Sequence, residues 1–178
     1  EYYLVNKLTK GFLGTNNIDT NSRLCMSSAV VGYKKALGDD NVPIAYEDIE
    51  LADTFFITGA NPAWCHPILF RRLEKHKENN PDTKIILVDP RKTQSAAIAD
   101  LHLQILPGTD VVLHNAIAKR LIDTKKIDLK FIQKSTNNFE ALKKKVSEIS
   151  LSKAAEICGI SSKEIKLAAQ YIGNAKGF

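Results

Sequence analysis

Three short apolar runs, each closed by a turn-forming loop, constrain the fold of this chain more than any other feature. They are Thr54-Phe55-Phe56-Ile57-Thr58, Lys84-Ile85-Ile86-Leu87-Val88 and Leu101-His102-Leu103-Gln104-Ile105-Leu106. The loops that end them are Gly59-Ala60-Asn61-Pro62-Ala63, Asp89-Pro90-Arg91-Lys92 and Pro107-Gly108-Thr109-Asp110. Runs of this length, apolar with little polar alternation, suit strands covered on both faces. Helices are expected between and after them. Proline at 67 suits a first helical turn, in a helix running to about Lys77. A second helical pattern runs from Val111 to about Ile122.

Strands alternating with helices predict an α/β fold, a Rossmann-like parallel sheet with helices on both faces, followed by a helical C-terminal segment. Residues 1–50 read as a first segment, 51–137 as the Rossmann-like unit and 138–178 as the helical tail. Within the first segment the stretch to about Thr20 is mixed, with turn signals at Gly11, Gly14 and Asn16-Asn17. A helix is then expected over 22–37, stopped by Gly38-Asp39-Asp40-Asn41. With no methionine at residue 1 and a helical pattern running almost to residue 178, the sequence reads as a piece of something longer.

Composition excludes several classes. No apolar run approaches the roughly 20 residues that span a bilayer, so no membrane association is expected. A net charge of +5 is modest, and Lys143, Lys144 and Lys145 suit a solvated helix face. No cluster of cations interleaved with aromatics offers a nucleic-acid surface. The glycine-turned stretch 154–165 has helix-turn-helix spacing, which a helical hairpin packed on the sheet also satisfies. Cys25, Cys65 and Cys158 are odd in number and far apart, with no CxxC pair. They offer no disulfide framework, iron–sulfur site or structural zinc site, and they suit a reducing compartment.

Ligands of open parallel sheets collect at the carboxyl ends of the strands. There Gly59 permits close backbone approach to a phosphate, although the three-glycine dinucleotide fingerprint is missing and a plain strand-to-helix turn would use the same residues. The missing fingerprint also counts against a nicotinamide or flavin module. Asp89 ends the next strand, where a carboxylate can hold ribose hydroxyls, with Arg91 and Lys92 beside it for phosphate; a turn before proline also explains it. Asp110 opens a helix, either as a favourable first-turn anion or as the acceptor for the N1–H and amine of a guanine. Cys25 is expected at the start of an amphipathic helix beside Arg23, a setting that favours a metal-binding thiolate; an inert buried cysteine or a Cys–His pair are the alternatives.

The run Asn17-Ile18-Asp19-Thr20-Asn21-Ser22-Arg23-Leu24-Cys25-Met26-Ser27-Ser28-Ala29-Val30 resembles the molybdenum-ligand segment of molybdopterin oxidoreductases of the dimethyl sulfoxide reductase family. Gly59-Ala60-Asn61-Pro62-Ala63-Trp64-Cys65-His66-Pro67, Asp89-Pro90-Arg91-Lys92 and Pro107-Gly108-Thr109-Asp110 match that family in the same order, so the resemblance covers nearly the whole chain. The sequence looks most like bacterial assimilatory nitrate reductases. A cysteine ligand narrows the family to nitrate reductases and formate dehydrogenases, and formate dehydrogenases usually place histidine where Met26 stands.

The resemblance implies a molybdenum centre held by two molybdopterin guanine dinucleotides, and nitrate as substrate, reduced to nitrite by oxygen-atom transfer. Cys25 would be the catalytic metal ligand, with Asn21 touching the cofactor nearby. Thr58, Gly59, Ala60, Asn61, Trp64 and Cys65 would wrap the diphosphate of one dinucleotide. Asp89, Pro90, Arg91 and Lys92 would hold its ribose and phosphates, and Gly108, Thr109 and Asp110 its guanine. It also implies an electron-donor protein or domain, and a 4Fe-4S cluster whose ligands lie outside these residues. The segment alone is expected to be inactive.

Overall fold

The first 45 residues fold into helices with no buried residue among them. They form one of two compact units, Glu1–Ala45 and Tyr46–Phe178, in the computed structural model, which describes residues Glu1–Phe178. In the first unit α1 (Tyr2–Asn6) runs directly into a π-helical stretch, Lys7–Phe12. Gly11 therefore sits inside a helix, where the sequence suggested a turn. One long helix was expected over 22–37. Instead α2 (Ser22–Cys25) and α3 (Ser27–Leu37) are separated at Met26, whose φ of −111° and ψ of −2° leave helical geometry. Gly38 ends α3 at φ 91°, the left-handed conformation that glycine reaches without steric cost.

The second unit is built around β2. β1 (Thr54–Thr58), β2 (Lys84–Val88) and β3 (Leu101–Leu103) form a parallel sheet in the order β1-β2-β3. Ile85, Ile86, Leu87 and Val88 of the central strand are all buried, each contributing about 1.5–3 kcal/mol on leaving water. Successive side chains on a strand face opposite ways. Both faces of β2 are covered, which is why its sequence shows no polar alternation.

The helices of this unit are α4 (Asp48–Leu51), α5 (Pro62–Cys65), α6 (Pro67–Asn79), α7 (Asp110–Asp123), α8 (Leu129–Ser135), α9 (Phe139–Ser147), α10 (Leu151–Cys158) and α11 (Ser162–Asn174). On one face of the sheet α6 buries Phe70, Leu73 and His76, and Phe55 meets the His76 ring edge-on at 5.9 Å. On the other face Ile86 and Val88 join a core formed with α7, α10 and α11, and Phe56 meets His114 of α7 edge-on at 5.6 Å. The parallel sheet with helices on both faces is thus as expected. β3 is shorter than expected: its ladder ends at Leu103, though Ile105 stays buried.

The stretch with helix-turn-helix spacing forms α10 and α11. A capping box closes α11: the Ser161 hydroxyl accepts the Glu164 amide, and the Glu164 carboxylate accepts the Ser161 amide. Ala154, Ala155 and Cys158 of α10 and Ile165, Ala168 and Ala169 of α11 all lie in the sheet core. The pair is a packed hairpin, and nothing supports the nucleic-acid alternative. No helix is long and apolar enough to cross a membrane.

Candidate functional site

Register brings the three loops together. Thr58 lies opposite Val88, and Val88 opposite Leu103, so the chain leaves all three strands side by side at one end of the sheet.

The β1 loop is open toward solvent and tied down from below. Gly59 has a φ of 60°, and a side chain placed on it would meet nothing within 4 Å. Its N–H donates to Val88 O at 3.2 Å, extending the ladder by one residue. Ala60 is exposed. The Thr58 hydroxyl lies 3.4 Å from His114 Nε2. The helix directly after the loop is the single turn α5, with Pro62 at its start, where the sequence suggested that the chain reaches the helix at Pro67 directly. Asn61 precedes α5 without capping it through its side chain. Its Oδ1 instead accepts the Ser95 hydroxyl at 2.6 Å, and Ser95 Oγ accepts the Ala63 amide at 3.1 Å. Trp64 is 67% exposed, yet its indole N–H donates to Gln94 Oε1 at 3.0 Å. Cys65 is exposed.

At the end of β2, Asp89 is buried and its Oδ1 accepts the Arg91 amide at 2.7 Å. Its carbonyl accepts His102 Nε2–H at 2.9 Å, and the Pro90 carbonyl accepts from Gln104 at 2.8 Å. The turn role of Asp89 is therefore real, and it engages one carboxylate oxygen. Arg91 and Lys92 are exposed. The next side chain, Thr93, has a buried hydroxyl oxygen with no partner. A buried polar atom left unpaired costs about 1–3 kcal/mol, so such an atom beside a loop calls for an explanation.

After β3, Gly108 has a φ of 82° with open space around it. Thr109 precedes α7, and its hydroxyl donates to Leu106 O at 2.6 Å. Asp110 is the first residue of α7, where the helix dipole favours an anion. Cys158 fastens this loop to the core. Its carbonyl accepts the Leu106 amide at 2.9 Å, and its Sγ donates to Thr109 O at 3.7 Å. Burial pushes the Cys158 thiol pKa up, with a smaller upward push from the Asp110 charge and a partial offset from the bond to Thr109.

In the first unit, Cys25 is exposed and is the last residue of α2, not the start of a long helix. The Arg23 guanidinium is bound to Asp19 at 2.9 Å, and that bond first holds the Asp19 carboxyl below its ordinary range. Asn21 precedes α2, and its carbonyl accepts the Leu24 amide at 3.1 Å and the Cys25 amide at 3.3 Å.

Four residues at the second unit's strand ends escaped sequence reasoning: Thr93, Gln94, Ser95 and His114. The first three lie in or just before a 3-10 turn, Gln94–Ile98, too short to show a period. His114 lies on α7, where its meeting with Thr58 needs the fold.

The molybdopterin oxidoreductase family model matches residues 1–163. A nitrate reductase of Synechocystis sp. is 51% identical over 99% of this chain, and one of Klebsiella oxytoca 44% identical over 93%. An F420-dependent formate dehydrogenase alpha subunit of Methanocaldococcus jannaschii is 38% identical over 98%. The chain spans 25%, 18% and 26% of these three proteins, respectively. Among solved structures, acetylene hydratase from Pelobacter acetylenicus superposes with a TM-score of 0.73 at 27% identity, over 95% of this chain and 22% of that one.

Proposed function

The chain belongs to the molybdopterin oxidoreductase family, and on that premise we propose that it is the segment of a nitrate reductase that binds one pterin-guanine dinucleotide and supplies the metal's thiolate. The family implies a molybdenum–pterin cofactor. The residues present suit such a group. Gly59 and Gly108 leave open backbone in the loops after the two outer strands, and Thr93 Oγ1, after the central one, is buried with nothing to bond. No three His, Cys, Asp or Glu side chains are grouped to hold a metal among themselves. A cofactor that brings its own sulfur ligands needs only one more from the protein.

The observation that carries the reading is this set of three registered loops, one with an orphaned hydroxyl. When bound, the cofactor supplies two-electron oxygen-atom transfer, converting nitrate to nitrite. The chain's own residues hold and orient it. Cys25 offers the thiolate, and Asn21 stands just before it. The amides and side chains of Thr58, Gly59, Ala60, Asn61, Trp64 and Cys65 bind diphosphate oxygens. Asp89 keeps Oδ2 for ribose while its other oxygen holds the turn, with Pro90, Arg91 and Lys92 completing that contact. Gly108 and Thr109 shape the pocket from which Asp110 accepts two guanine N–H groups. In this reading residues 1–50 carry the ligand cysteine, 51–137 the dinucleotide-binding unit and 138–178 its helical cover.

Nitrate is preferred to formate because Met26 follows the cysteine, and nitrate reductases are the nearer of the relatives above. Formate oxidation is the second reading, favoured by the 38% identity to the archaeal formate dehydrogenase subunit. The parent enzyme would also carry a second pterin-guanine dinucleotide and a 4Fe-4S cluster, take electrons from a donor protein or domain, and work in the cytoplasm.

Testing this needs the full-length enzyme purified without oxygen, as native protein and as Cys25→Ala. Molybdenum content and nitrite production with reduced methyl viologen should both be high in the native enzyme, with turnover lost in the variant. Molybdenum without nitrate turnover, but with formate oxidation, would transfer the assignment to the second reading. A native enzyme that loads no molybdenum would sink both.

A further inference from the structure

Ser95 is fully buried, and no part of the proposed chemistry uses it. Its hydroxyl makes two hydrogen bonds to a different loop. It accepts the Ala63 amide at 3.1 Å and lies 2.6 Å from Asn61 Oδ1. In that pair the Ser95 hydroxyl donates to the Asn61 amide oxygen, and the Ala63 amide fills a lone pair of the same Oγ. The Asn61 carboxamide is held by its oxygen, which turns its two N–H donors away from Ser95.

We infer that Ser95 is a positioning residue that makes Asn61 a fixed donor to an anion at the end of β1, the diphosphate of a bound dinucleotide. The inference rests on the reading of residues 58–65 as a diphosphate loop. A free asparagine amide presents oxygen or nitrogen with equal ease, and an oxygen facing phosphate is repelled. Here the flip is blocked by a buried hydroxyl from the loop after β2. Gln94, one residue earlier, anchors Trp64 of the same segment at 3.0 Å. The 3-10 turn thus sets both the shape and the polarity of the β1 loop.

Two variants of the full-length enzyme separate polarity from mere support. Asn61→Asp keeps an oxygen acceptor for Ser95 but replaces the outward donors by a carboxylate oxygen. Ser95→Ala frees the amide to turn and removes the tie to Ala63. The readout is the dissociation constant of the pterin dinucleotide, followed by the fluorescence of its released, oxidised pterin, with thermal unfolding of the same samples. Losing a charge-assisted bond and gaining repulsion, Asn61→Asp should weaken binding roughly 10- to 100-fold at pH 7.5. Its unfolding midpoint should stay close to wild type, and the deficit should shrink toward pH 5 as the new carboxylate takes up a proton beside the phosphates. Ser95→Ala should weaken binding by about tenfold or less with no such pH dependence. Wild-type affinity in Asn61→Asp, or a deficit that does not vary with pH, would overturn the fixed-donor assignment. Unchanged affinity in Ser95→Ala would remove the role of Ser95. A wild-type enzyme that binds no pterin dinucleotide would overturn the cofactor reading and this inference with it.

Discussion

Gly159→Ala should destabilise the second unit through two separable costs. Gly159 ends α10 at φ 70°, a conformation that costs a residue with a Cβ about 1–2 kcal/mol. A Cβ there would also stand 2.9 Å from Leu106 Cγ and 3.3 Å from its Cδ1. Forcing a carbon into an occupied place costs about 1–3 kcal/mol. Leu106 is 54% exposed and its side chain can turn outward, which favours the lower part of that range, but its backbone is held by the 2.9 Å bond to Cys158 O. The sum is about 2–4 kcal/mol. Gly108→Ala is the internal control. At φ 82° it incurs the conformational cost alone, since nothing lies within 4 Å. Urea unfolding of the chain, followed by far-ultraviolet circular dichroism, reads both. With a slope of about 2 kcal/mol per molar, Gly159→Ala should lower the midpoint by about 1–2 M and Gly108→Ala by about 0.5–1 M. Leu106→Ala placed in the Gly159→Ala background should recover part of the difference. Equal midpoints for the two glycine variants would refute the steric part, and no recovery with Leu106→Ala would show that Leu106 is not its source.

Thiol alkylation should divide the cysteines. Exposed Cys25 and Cys65 should react with iodoacetamide in the folded chain, while Cys158, buried and with its pKa pushed up, should react only after unfolding; three equivalents on native protein would contradict the packing of α10. Thr93→Val should leave the ligand-free chain as stable as wild type or slightly more so, since it removes a buried orphan, while weakening retention of the dinucleotide in the full-length enzyme. Thermal unfolding and pterin content read the two effects, and a variant that keeps its cofactor as wild type does would detach Thr93 from the site. The Glu50 carboxyl is held below its ordinary range by its hydrogen bonds with Arg72, at 2.8 and 2.6 Å. A depressed folded pKa contributes stability above the unfolded value and loses it as pH falls through the folded one. The urea midpoints of wild type and Arg72→Met should therefore differ near neutrality and converge in acid, the gap narrowing in high salt because the pair is exposed; a gap that widens on acidification would refute the linkage.

The sequence by itself determined the α/β architecture. Four consecutive apolar residues in β2 can be satisfied only by cover on both faces, and the turn-forming residues after β1 and β2 mark where those strands give way to loops. It also fixed the order of the loops and hence which residues leave the sheet together. These are local consequences of periodicity and backbone chemistry, so they are written along the chain. What the tertiary structure alone decided are the pairings across it. Ser95 reaches Asn61 across 34 positions, and His114 reaches Thr58 across 56. Ser95 lies in a turn too short to show a period, and the helical period that contains His114 does not say which strand residue it meets; a hydroxyl or imidazole carries no mark of its partner until packing excludes water and leaves one group in range. Cys25 shows the same limit in reverse. Arg23 stands two residues away, a spacing that pointed to thiolate support, but once the chain turns at Thr20 the carboxylate of Asp19 is the nearer and stronger partner for that guanidinium. Proximity in sequence proposes partners, but distance and desolvation in the folded chain select among them.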